Sequence, residues 1–175
     1  MIQNRLYVCF LVIIVAAIFS GCATHPIVAK RYPVDQKMIP DFTSNNAIAL
    51  ENTQNDQNKI LVGTNMGHKF KGDLHQFTEI AIETLEGELK NKNITVEPGA
   101  GKNMKISVSK VHFESRWSGF WCESFIQVET GDGYKAEIDG HDSNAWILPP
   151  CINGSLNHAV VAILNDDTII EYLNR

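Results

Sequence analysis

The chain has 175 residues, 20 acidic and 15 basic, with 44% hydrophobic and 20% charged side chains. That is the balance of one ordinary globular domain, and it excludes a disordered tail or a polytopic membrane protein. The net charge of −5, without any clustered Lys/Arg stripe, argues against binding nucleic acid, which depends on counterion release by such a stripe.

Residues 1–21 have the tripartite layout of a secretory signal: Arg5, an apolar run from Leu6 to Phe19, then small residues. The run is well short of the roughly 20 residues that cross a bilayer core as a helix. Phe19-Ser20-Gly21-Cys22 resembles the bacterial lipobox. The resemblance implies that Cys22 is lipidated with diacylglyceryl and acyl (palmitate-type) chains and becomes the first mature residue. Ala23, where retained lipoproteins carry Asp, implies export to the outer membrane. Processing removes only Arg5 among charged residues, so the mature net charge falls from −5 to −6. Several acyl chains, at about 0.8 kcal/mol per buried methylene, make detachment negligible.

Between Ala23 and Asn45 no apolar period is visible, and Pro26, Pro33 and Pro40 punctuate the segment. Residues 22–45 are therefore expected to be an extended tether, and 46–175 a single domain. Short strands are expected at Ala47–Glu51 and Lys59–Thr64. Asp73 is a good N-cap, with Gln76 three residues on. Leu74, Phe77, Ala81, Leu85 and Leu89 then form one apolar face, which predicts a helix over 74–92 ended by Asn93. Beyond Pro98–Gly101 the period becomes twofold. Met104, Ile106 and Val108 share one face while Val111 and Phe113 fall on the other, so a bulge or face switch is expected near Ser109 and Lys110. A strand over Cys122–Thr130, the turn Gly131-Asp132-Gly133 and a strand alternating from Tyr134 complete a meander. A closing helix is expected from Ser155, and Asp166 or Asp167 suits the cap of a last short turn.

This order predicts an α+β fold: a two-layer sandwich, mainly antiparallel, with two helices on one face. The chain then resembles small envelope lipoproteins of the YajG type and, more loosely, the lipopolysaccharide-assembly and transporter-auxiliary lipoproteins. The likeness rests on the lipobox at Cys22, the polar loop Thr53–Asn58, the helix ending near Asn93, the strand Tyr134–Gly140 and the closing stretch Ala159–Asp166. It implies a compartment and a fold, and no activity.

No G-x-S-x-G, P-loop or G-x-G-x-x-G pattern occurs, and Gly99-Ala100-Gly101-Lys102 is too short to cradle phosphate. Asp139-Gly140-His141-Asp142 is the densest group of potential ligands, but it lacks calcium-loop alternation and any HExxH-like pair, so it reads as a solvated strand end with no metal. No cofactor and no catalytic residue is expected. Trp117, Phe120 and Trp121 crowd into an expected loop. They serve either as an exposed anchor for a partner or lipid or, on the blander reading, as aromatics folded back over the sheet end. Residues 116–175 carry nine acidic and three basic side chains, an acidic half suited to a solvated face.

If Cys9 leaves with the signal and Cys22 carries lipid, Cys122 and Cys151 remain for one disulfide in an oxidising periplasm, the rival arrangement being two separate buried thiols. The expected function is a non-catalytic, outer-membrane-anchored lipoprotein, its domain in the periplasm, that binds or scaffolds another envelope component. The alternative is a periplasmic carrier of lipid or a small molecule with an apolar pocket between helices and sheet.

Overall fold

A computed structural model describes residues 23–42 and 46–175. In chain order the elements are β1 (Thr24–Pro26), a single 3-10 turn (Gln36–Met38), β2 (Ile48–Asn52), β3 (Lys59–Asn65), β4 (His68–Asp73), α1 (Leu74–Asn91), β5 (Lys102–Arg116), β6 (Gly119–Thr130), β7 (Lys135–Asn144), α2 (Leu148–Ile163) and α3 (Asp167–Asn174). The four-stranded sheet runs β2-β5-β6-β7. Its β5-β6-β7 meander is antiparallel, while β2 joins β5 in parallel. A three-stranded sheet, β1-β4-β3, pairs β3 and β4 antiparallel and adds β1 in parallel. The α+β sandwich is the observed architecture, with α1 and α2 on the inner face of the larger sheet.

The bulge on β5 makes that face continuous. Its register with β6 slips between Val108 and Lys110, so Met104, Ile106 and Val108 before the slip and Val111 and Phe113 after it are all buried. Without the extra residue, twofold alternation would turn the last two to water. Against them α1 buries Phe77, Ala81, Leu85 and Leu89, each worth about 1.5–3 kcal/mol for the larger side chains. Asp73 caps α1 by accepting from the N–H groups of His75 and Gln76, at 2.9 and 3.2 Å. Asn93, at φ 62°, ends it in the left-handed region that Asn tolerates.

Three expectations are corrected. Cys22 lies outside the described residues, but the described part of the expected 22–45 tether is laid across the helices. Ile27, Ala29, Val34, Ile39 and Phe42 are buried, and side chains of α2 and the turn beyond it hold the segment's backbone: Asn153 accepts from Lys30 N, Asn157 donates to Tyr32 O and Asn165 donates to Met38 O. From α1 and its end, Glu88 accepts from Gln36 and Lys92 pairs with Asp41. The prolines keep this strap extended, and an extended strap shows no helical period to read. Second, α2 begins at Leu148, seven residues before Ser155, because Pro149 and Pro150 fit a first turn whose N–H groups have no helical partner. Ser155 is instead buried in the helix, its hydroxyl 2.7 Å from that of Ser124 on β6. Third, the aromatic segment is no loop: β5 and β6 form one long hairpin turned by Trp117 and Ser118.

Cys122 and Cys151 are joined in a disulfide with a Cα–Cα distance of 5.8 Å, tying the first turn of α2 to β6. Two residues along the strand and four along the helix, the Ser124–Ser155 contact repeats this seam. On β7, the Cβ of any residue replacing Gly140 would overlap Ser155 O and Ala159 N, so α2 crosses the sheet nearly backbone to backbone.

Candidate functional site

Three turns meet at one end of the molecule. The β3–β4 turn carries Met66, the β5–β6 turn Trp117, and the β7–α2 connection Trp146 and Ile147; these side chains are 92%, 99%, 85% and 56% exposed. Their neighbourhood follows from hydrogen bonding. Asn65 Oδ1 accepts from the hydroxyl of Ser115 at 2.9 Å, which brings the first turn beside the second. Phe120 pairs with Asn144, which brings the third beside the second. Asn144 Oδ1 then accepts from the N–H groups of Trp146 and Ile147, at 3.1 and 2.9 Å, fixing how that connection leaves the sheet.

The chain enters the domain at the same end. Lys69 N donates to Ala23 O at 3.1 Å, and Thr24 pairs with Lys69, one residue beyond the His68 that closes the Met66 turn. Ala23 is the residue after Cys22. The His25 and His68 rings sit beside this entry, nitrogen to nitrogen at 3.0 Å.

Of the three aromatics singled out in sequence, the strand alternation separates their fates. Trp117 projects into solvent. Phe120 turns inward, edge-on to Phe113 with centroids 5.7 Å apart. Trp121 lies half-buried on the outer face, stacked on His141 and covered by the Arg116 guanidinium at 5.1 Å. Met66, Trp146 and Ile147 escaped sequence reasoning, because an isolated apolar residue in a turn has no period to betray it.

The outer face of the larger sheet is polar. A depression of about 600 Å³ there is lined by Lys105, Ser107, Gln127, Glu129, Lys135 and Glu137 among others. Its charges already have partners: Glu129 lies 3.6 Å from Lys105 and 3.0 Å from Lys135, and the hydrogen bond from Lys135 holds its carboxyl below the usual range. Asp139 and His141 are exposed and paired with each other at 2.6 Å. Among the described residues no group of three or more potential ligands converges as a metal site, and no helix is long and apolar enough to cross a membrane.

His75 carries a perturbed imidazole. Its Nδ1 lies 2.6 Å from Gln54 O, and its Nε2 lies 3.2 Å from Glu79. The backbone hydrogen bond to Gln54, then the charges of Glu79 and Asp73, raise its pKa above the ordinary value.

No protein-family model matches the sequence, and no curated protein matches it. Among solved structures the chain is similar to a crystal structure of a Xanthomonas campestris protein of the DUF330 family. The TM-score is 0.48 and the identity 8%, covering 86% of this chain and 94% of that one.

Proposed function

We propose that the protein is an outer-membrane lipoprotein of the bacterial envelope, without chemistry of its own, whose domain binds or scaffolds another envelope component. The observation that carries this reading is the hydrogen bond from Lys69 N to Ala23 O, which begins the folded domain one residue after the lipobox cysteine. A lipid on Cys22 then acts next to a residue, Ala23, that is already held by β4. Further support comes from the paired state of the outer-face charges and from the resemblance of the chain to envelope lipoproteins of the YajG type. The alternative of an apolar carrier lacks an observation in its favour: Phe77, Leu85, Met104, Ile106 and Ile126 fill the space between helices and sheet that a cargo would occupy.

The test is chemical cross-linking in intact cells, followed by purification of the full-length protein from solubilised envelope. The expected result is a reproducible cross-linked envelope protein that is missing from a Cys22→Ala control. Recovery of nothing above that control contradicts the reading.

A further inference from the structure

The exposed apolar end and the chain entry coincide, the entry pairing with the strand that follows the Met66 turn. Met66 makes the point sharply. Met66 and Gly67 have φ of 47° and 80°, the pair of positive values that a two-residue hairpin turn of this kind requires and that Asn-Gly fills most easily. A Met there adopts a disfavoured backbone, and its side chain, 92% exposed, recovers nothing from packing in the domain. Strain retained without an internal contact points to a contact outside the chain.

We propose that this end, with Met66, Trp117, Trp146 and Ile147 at its tip, rests in the headgroup region of a phospholipid bilayer. The inference builds on the assignment of Cys22 as the lipidated residue. The choice of lipid over a protein partner follows from reach. Ala23 is fixed by β4 next to the strand end that carries the Met66 turn, and one further residue spans about 3.5 Å, so acyl chains on Cys22 would bring this end of the domain to the bilayer surface. The side chains fit that position. Trp sits at membrane–water boundaries with its ring among headgroups, and apolar side chains of a surface-bound protein penetrate about 5–10 Å. Three separate turns supply the four residues, so the domain stands on its tip as on a tripod.

The full-length lipidated protein is reconstituted into phosphatidylcholine vesicles with and without bromine on the acyl chains, and tryptophan emission is recorded. Trp121→Phe combined with Trp146→Phe isolates Trp117, Trp121→Phe combined with Trp117→Phe isolates Trp146, and the unsubstituted protein is measured alongside to guard against misfolding. The expected result is a blue shift and loss of emission from both rings in brominated vesicles, with protection from acrylamide. Met66→Asn should weaken this quenching while raising thermal stability. Co-flotation of the protein with vesicles while Trp117 and Trp146 remain open to acrylamide and unquenched by bromine overturns the proposal and leaves the anchor assignment standing. Protection in native envelopes but not in pure lipid also overturns it, in favour of a protein partner. Quenching by a chain that mass analysis shows to lack lipid overturns the anchor instead.

Discussion

The hydroxyl of Thr78 on α1 accepts a hydrogen bond from the backbone N–H of Val108, 2.9 Å away, at the residue where β5 slips its register. The same hydroxyl donates to Leu74 O at 2.8 Å, and Val108 O accepts from Gln54 Nε2 at 2.9 Å. Here β2 has ended, and two side chains satisfy the backbone groups it would have paired. Thr78→Val keeps the shape and strands a buried N–H, so it should lower the free energy of unfolding by about 1–3 kcal/mol. Thr84 is as deeply buried but only returns a hydrogen bond to Ile80 O on its own helix; Thr84→Val should be close to neutral. Urea unfolding of the two variants checks this, and equal losses contradict the role given to Thr78.

Gly140→Ala tests the crossing of α2 over β7. The added methyl would meet Ser155 O and Ala159 N, both backbone atoms of a helix pinned by a disulfide. Overpacking of this kind costs typically about 1–3 kcal/mol. A melting temperature unchanged from the unsubstituted protein would mean that α2 sits further from the sheet.

The Cys122–Cys151 bond closes a loop with a sequence separation of 29. Loss of it through paired Cys→Ala substitutions should cost about 3.5 kcal/mol by chain entropy. Alkylation of the unreduced protein should leave both sulfurs unmodified, and labelling of both would refute the bond.

Stability should also respond to His75. Its folded pKa is raised above the ordinary value, so its contribution is complete below about pH 6.5 and is lost as pH rises through the folded midpoint. An NMR titration should give His75 a midpoint above 6.5, and His75→Gln should remove that part of the pH dependence. A midpoint at or below 6.5 contradicts the hydrogen bond to Gln54.

Much of the sandwich was legible because its signals are periodic. The apolar spacing from Leu74 to Leu89 gives α1, and the broken twofold pattern from Met104 to Phe113 places the bulge within a residue of where it lies. What escaped has no period. The strap from Ile27 to Phe42 buries single side chains at irregular intervals, and the parallel partners β1 and β2 depend on contacts 45 to 54 residues distant in sequence. The Pro149-Pro150 pair reads as a break when taken alone, although in the first turn of α2 it is compatible with helix. The candidate end was visible only through Trp117; Met66, Trp146 and Ile147 become a site when folding gathers three turns.

The account turns on Cys22. Intact mass and fragmentation of the mature protein extracted from envelope in detergent test it most directly. The predicted result is a chain that begins at Cys22, with the diacylglyceryl and acyl additions confined to that residue and Ala23 unmodified. A mature chain that retains residues before Cys22, or one whose Cys22 is a free thiol, contradicts it.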